Sequence, residues 1–205
     1  MKVIVFGSTG GVGRQVVKQA LEKGFEVTAF VRTPSKMELK HEKLHVIQGD
    51  AFNKKEVSAA IAGHDVVVSC LGSSKGMKKS TELEEMTKNI VDGMKKHHVK
   101  RIIYTASAGI DGEIPGISGK MVMQMLKHAL ADHRNAVNYI KSNELSYTIV
   151  RPMGLTNDPF TGKYREAKEG VPKNSRTIPR ADVAHFIVKA LTDEQYENAS
   201  IAIAT

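Results

Sequence analysis

Seven residues near the N-terminus have the types and spacing to hold a phosphate: Gly7-Ser8-Thr9-Gly10-Gly11-Val12-Gly13. The glycines recur every three residues, between the β-branched run Lys2–Phe6 and the helically spaced segment Val12–Leu21. In such a strand–loop–helix unit, the first glycine permits the tight turn off the strand. The second lets the backbone approach a pyrophosphate, and the third lets the helix pack closely on the sheet. Free N–H groups opening the helix near Gly11 and Val12 then face the phosphate charge. The other phosphate-loop pattern, G-x-x-x-x-G-K-[ST], fails because Arg14-Gln15 stand where Lys-Ser or Lys-Thr is required. The chemistry expected of this loop is dinucleotide binding.

The next strand ends in Val31-Arg32-Thr33-Pro34-Ser35-Lys36. A fold that prefers NAD places a carboxylate about 20 residues beyond the glycines, on the ribose 2′-hydroxyl. Here Arg32 stands there, with Ser35 and Lys36 close by. A guanidinium grips a 2′-phosphate with paired hydrogen bonds where a carboxylate would repel it, so NADP(H) is the expected cofactor. Arg32 could equally stack on the adenine. Further cofactor candidates follow the later strands: Asp50-Ala51-Phe52, Leu71-Gly72-Ser73, Thr105-Ala106 and Pro152-Met153-Gly154. Asp50 could accept a hydrogen bond from the adenine amino group or cap the helix behind it, a role also open to Asn53.

The elements that must position these residues can be read from periodicity. Strands are expected at Lys2–Phe6, Glu26–Val31, Leu44–Gln48, Asp65–Ser69, Lys100–Thr105, Ser146–Arg151 and Ser200–Ala204. The run Val66-Val67-Val68 suits a strand buried on both faces. Helices are expected at Val12–Leu21, behind Asn53, at Thr81–His97, at Met121–Ser142 after a loop with Gly109, Gly112, Gly116 and Gly119, and at Ala181–Leu191. Pro152 should stop the sixth strand. Residues Leu155–Pro179 are polar, without clear period, and are punctuated by Pro159, Gly162, Gly170 and Pro172, which suggests an excursion over the site mouth. Alternating strands and helices imply one α/β domain over residues 1–205, a Rossmann-type doubly wound parallel sheet with helices on both faces, residues 155–180 lying on the substrate side.

Composition bounds the ligands. The 205 residues carry 41% hydrophobic and 25% charged side chains, an ordinary globular mixture. No apolar run approaches the roughly 18 residues of a membrane span, and the N-terminal run is too short for a secretory leader. Cys70 is the sole cysteine, so neither a disulfide framework nor a Cys-rich metal site is expected, and a cytoplasmic protein fits. The net charge of +8 is spread along the chain, with short clusters at Lys78-Lys79 and Lys95-Lys96-His97-His98. With 5% aromatics and no Trp, nucleic acid is not expected as the main ligand; a basic surface also suits an anionic small molecule. His97-His98 at a helix end suit the helix dipole rather than a metal.

With these residues in view, the chain resembles the atypical short-chain dehydrogenase/reductase family in its NmrA-like branch, most closely the biliverdin-IXβ reductase/flavin reductase group. The resemblance covers nearly the whole length, and Pro159-Phe160-Thr161-Gly162-Lys163-Tyr164 and Asp132-His133 carry it most narrowly. It implies an NADPH-dependent reductase of flavins or other flat conjugated acceptors such as quinones or tetrapyrroles, acting as monomer or homodimer. It also implies catalytic roles for Ser107, near the nicotinamide at the end of the fifth strand, and for His133, which falls where common members carry a lysine. Ser107 could donate to the acceptor or merely end the strand, and His133 could relay a proton or merely pack. The usual Tyr-x-x-x-Lys pair is missing: Tyr139 is followed four places later by Asn143, and the formal match Tyr164–Lys168 lies on the wrong element. Gly154 stands where the group can carry a histidine. Met121, Met123, Met125 and Met153 could line an adaptable apolar pocket or fill core. The other functions in view are a non-catalytic NADP(H) sensor of the NmrA type and a sugar-nucleotide epimerase or dehydratase.

Overall fold

The computed structural model describes all residues from Met1 to Thr205. Its strands are β1 (Lys2–Phe6), β2 (Glu26–Val31), β3 (Leu44–Gln48), β4 (Val66–Ser69), β5 (Arg101–Thr105), β6 (Ser146–Pro152), β7 (Gly154–Thr156), β8 (Arg165–Ala167), β9 (Thr177–Pro179) and β10 (Ala199–Ala204). Its helices are α1 (Gly11–Glu22), α2 (Lys54–Ile61), α3 (Glu82–Lys96), α4 (Gly116–Met125), α5 (Lys127–Lys141) and α6 (Arg180–Ala190). The main sheet has eight strands in the order β3-β2-β1-β4-β5-β6-β10-β8, parallel except where β8 pairs with β10.

Strand residues alternate between two cores. Ile4, Phe6, Val67, Ile102 and Tyr104 face α2, α3 and α5, while Val3, Val5, Val66, Val68 and Ile103 face α1 and α6. Both faces of each central strand are therefore covered, which is why β4 reads as an unbroken run of valines. Chain order reverses between β1 and β4, opening a crevice at the strands' carboxyl ends, where doubly wound sheets bind ligands.

The structure corrects four expectations. The helix expected at Met121–Ser142 is two helices, broken at Leu126 (φ −93°, ψ 8°), and the first begins at Gly116. Gly116 and Gly119 thus lie in α4 rather than in a loop, because Gly119 lets α4 close on Ile114: a Cβ there would collide with the Ile114 carbonyl and side chain. The sixth strand includes Pro152 as its last residue, opposite Ile203 of β10, rather than ending at Arg151. The segment 155–179 is less irregular than its composition implies, since β7 pairs with β9 and β8 extends the sheet edge.

Two buried acids hold the loops. Asp182 accepts from the Thr161 and Gly162 N–H groups (3.0 and 2.8 Å) and from the Thr161 hydroxyl (2.6 Å), pinning the excursion to α6. Asp132 on α5 accepts from the N–H groups of Leu83 and Glu84 (3.2 and 3.0 Å), capping α3 from a different helix. Arg151, 3% exposed, pairs with Glu113 and donates to the carbonyls of Lys168 and Gly170 (3.1 and 3.3 Å). No helix is long and apolar enough to cross a membrane.

Candidate functional site

The glycine loop has the geometry its spacing implies. Gly7 has φ +74°, and a Cβ there would strike the Cys70 carbonyl. A Cβ on Gly13 would strike the Gly7 carbonyl, so the helix can approach β1 only with glycine. No side chain caps α1, and no acid stands in its first turn, so its leading N–H groups are left for an anion. Ser8 is fully buried and its hydroxyl donates to the Phe30 carbonyl (3.3 Å); it holds the loop to β2 and is turned away from the crevice. Thr9, by contrast, is only partly buried at the loop's crest, and Val12 packs beneath it in the α1 face of the core.

A hollow at the carboxyl ends of β2, β3 and β4 is lined by Arg32, Asp50, Ala51, Phe52 and Gly72. Arg32 also borders the neighbouring shelf formed with Gln48, Gly49 and Glu56. Its guanidinium has no protein hydrogen-bond or ion-pair partner, unlike that of Arg14. Arg14 donates from Nε to the Thr9 carbonyl and from Nη2 to the Lys36 carbonyl, both at 3.0 Å. It thereby ties the glycine loop to the exposed turn Pro34–Lys36, which carries Ser35 and Lys36. Sequence reading weighed Arg14 only as a mismatch to another motif; its place next to Gly13 was the available signal.

Asp50 is not the cap of α2. Asn53 caps it, accepting from Lys55 and Glu56, while Asp50 Oδ1 accepts from Phe52 N–H (3.0 Å) within the turn. Gly49 is required because a Cβ would enter the Phe30 ring. Leu71 packs on the core, and the Ser73 hydroxyl is turned to Glu82 (2.9 Å). Hydrogen bonds from Ser74 hold that Glu82 carboxyl below the usual range.

A second cavity, about 730 Å³, opens at the carboxyl ends of β5 and β6. Ala106, Ser107, His133, Pro152, Met153 and Gly154, all singled out in the sequence, line it. Thr105 is just beneath, its hydroxyl 3.5 Å from Cys70 Sγ. Burial pushes that thiol up to about 11, so it stays protonated. The Ser107 hydroxyl donates to the Ala108 carbonyl (3.0 Å). His133 is a partly buried residue in the cavity wall, and its Nδ1 lies 3.0 Å from the Tyr104 hydroxyl. Burial pushes its pKa down to about 4, leaving the imidazole neutral near pH 7. Burial raises the Tyr104 phenol, which therefore stays protonated.

The methionines separate. Met153 lines the cavity and Met123 packs on the core, but Met121 and Met125 are 69% and 58% exposed on the outer face of α4. Tyr139 is turned to Asp92 (3.2 Å) and Tyr164 to His185 (2.9 Å), so neither tyrosine of the formal Tyr-Lys comparisons reaches the cavity. His97 lies 3.1 Å from the Ser58 hydroxyl, and no group of three or more His, Cys, Asp or Glu side chains is placed to hold a metal.

Arg180, the first residue of α6, joins the two halves of the site. It lines the second cavity, donates from Nη1 to Asn157 Oδ1 (2.8 Å) and lies across Gly11. A Cβ on Gly11 would come within 2.5 Å of its Cδ and 2.7 Å of its Nε. No short-range pattern connects residues so far apart in sequence, and sequence reading missed it.

A family described as NAD(P)H-binding matches residues 7–194. An uncharacterized chloroplastic protein of Arabidopsis thaliana is 31% identical over 206 residues, covering 95% of this chain and 73% of that protein. The chloroplastic divinyl chlorophyllide a 8-vinyl-reductase of the same plant is 28% identical over 99% of this chain, which spans 53% of the reductase's length. A Rossmann-fold NAD(P)-binding protein from Shigella flexneri superimposes with a TM-score of 0.80 at 25% identity, covering 100% of this chain and 93% of that one.

Proposed function

The chain belongs to the NAD(P)H-binding family, and from that premise we propose that it is an NADPH-dependent reductase of flat conjugated acceptors, flavins first among them. The observation that carries this reading is Arg180, which lines the 730 Å³ cavity and lies against Gly11 of the glycine loop. Arg32, free of protein partners and beside Ser35 and Lys36, is the residue for a 2′-phosphate, with Arg14 bracing the loops on either side. The uncapped end of α1 and Arg180 take the pyrophosphate, and Asp50 the adenine edge. Bound there, NADP(H) supplies a hydride, that is, one proton with two electrons.

The chain's own groups then position the acceptor and keep other chemistry out. Ala106, Pro152 and Met153 give it an apolar bed, and Ser107 offers a hydrogen bond by turning from the Ala108 carbonyl. His133 is held neutral by burial, so it orients rather than donates as an imidazolium. Reduction of a flavin by hydride needs one further proton, which solvent can deliver to an exposed ring nitrogen. The lack of a Tyr-Lys acid in the cavity therefore suits flavin-like acceptors and opposes alcohol–ketone interconversion. The name of one relative, divinyl chlorophyllide a 8-vinyl-reductase, supports a reductase reading. Within the family we read the chain as NmrA-like and nearest the biliverdin-IXβ/flavin reductase group, on the Thr161-Gly162 turn and the Asp132-His133 pair.

Anaerobic mixing with FMN and NADPH deuterated on one face of C4 tests the reading. Bleaching of the flavin with an isotope effect for one face supports direct hydride transfer; no bleaching overturns it. The sensor reading has one observation in its favour, the Ser107 hydroxyl already engaged with Ala108.

A further inference from the structure

The two edges of the eight-stranded sheet are finished differently. At one edge, β8 is three residues long, runs antiparallel to β10 and carries Arg165 and Glu166. A short, charged edge of this kind refuses further strands. At the other edge, β3 is the five residues Leu44-His45-Val46-Ile47-Gln48. It contains no Lys, Arg, Asp, Glu or Pro, and its register against β2 has no bulge. Val46 and Ile47 point to opposite faces of the sheet, yet they are 41% and 37% exposed. Between β2 and β3 the chain forms only the turn Pro34–Lys36, so the crossover supplies no α-helix to cover this strand.

The backbone of β3 is open as well. Its ladder to β2 is bounded by two bonds, from the Val27 N–H to the Lys43 carbonyl and from the Gly49 N–H to the Val31 carbonyl, both 2.9 Å. Residues 43, 45, 47 and 49 therefore turn their backbone groups inward to β2. By the alternation of a strand, Val46 and Gln48 turn their N–H and carbonyl groups outward, with the Leu44 carbonyl beside them. The Leu44 N–H is already taken by the His41 carbonyl (3.0 Å).

We propose that β3 pairs with β3 of a second copy of this chain, antiparallel about a two-fold axis at Val46, so that two sheets become one. In that register the two Val46 residues exchange N–H···O bonds, and each Gln48 N–H meets the partner's Leu44 carbonyl. His45 stands opposite the partner's Ile47, so no like charges oppose one another along the strand. The uncharged edge fits itself, whereas an edge with a lysine or a carboxylate at its centre would not. Because β8 offers no second open edge, the pairing closes at two copies instead of growing into a filament. A five-residue edge is small beside a standard interface of about 1,600 Å², so the dimer is a weak one, forming in the micromolar range. Gln48 also belongs to the shelf with Arg32, which sets the interface beside each nucleotide hollow.

The test is sedimentation equilibrium of the full chain from low to high micromolar concentration, with amide hydrogen exchange at both ends of the range. We expect a monomer–dimer equilibrium, and slowed exchange of the Val46 and Gln48 amides only where dimer is present. Val46→Lys sets two ammonium groups against each other at the axis. Val46→Pro removes the central outward donor from an edge strand, where proline is tolerated. Each should raise the dissociation constant about tenfold or more while the monomer still melts cooperatively. The exchange pattern is read on the natural protein, so it decides whether or not a variant folds. A monomer at every concentration, or a dimer whose Val46 and Gln48 amides exchange freely, overturns the pairing. So does a dimer that survives both variants, and open-ended association overturns the closed pair.

Discussion

Arg180 lies across Gly11, its Cδ and Nε occupying the space that a Cβ on residue 11 would need. Glycine at this position therefore serves a side chain of α6 as much as a phosphate. Gly11→Ala should displace Arg180, and Gly11→Ala and Arg180→Ala should each weaken NADPH and NADH by a similar factor, about tenfold. The double variant should lose little more than either single one, because the two residues act together. Titration of both nucleotides against the three variants checks this; additive losses would separate the residues.

Arg32 should act on one nucleotide only. With its guanidinium free for a 2′-phosphate, Arg32→Ala should weaken NADPH about tenfold or more while NADH changes by about twofold or less. Equal losses for the two nucleotides would return Arg32 to adenine stacking.

How much of this was legible in the sequence differs by residue. The glycine loop and the buried valines of β4 are local patterns, set by chain spacing alone, and the structure has the loop's backbone and the strand's burial as read. The start of α4 was not legible, because Gly116 and Gly119 argue against helix by propensity, while the close approach of Ile114 demands glycine at 119. Arg14 and Arg180 owe their placement to neighbours brought from distant elements, and no periodicity marks such a meeting. The Asp132-His133 pair stood out as a motif, but its meaning is tertiary: one side chain caps α3 and the other faces Tyr104.

Asp132 should matter to stability rather than to nucleotide choice. Asp132→Ala leaves two N–H groups at the α3 terminus without their acceptor and should cost about 2 kcal/mol in denaturant unfolding. The preference for NADPH over NADH should stay unaltered. A loss below about 0.5 kcal/mol would mean that water replaces the cap.

His133 gives a pH signature. Its folded pKa of about 4 lies below the ordinary value of 6.5, so between these the unfolded chain takes up a proton that the folded chain refuses. Stability is full above pH 6.5 and falls as pH drops toward 4, by about 1–3 kcal/mol from this residue. Unfolding of the natural protein and of His133→Asn across pH 4–7 should show a shallower slope for the variant; parallel slopes would contradict the buried, neutral imidazole.

We propose that the glycine loop and the cavity reached by Arg180 form one reductase site. Steady-state NADPH consumption, followed at the nicotinamide absorbance band with FMN, riboflavin and a soluble quinone, tests it most directly, with NADH in parallel. Turnover is expected, fastest with NADPH and FMN. Tight NADPH binding with no oxidation by any acceptor would contradict it and leave a nucleotide sensor in its place.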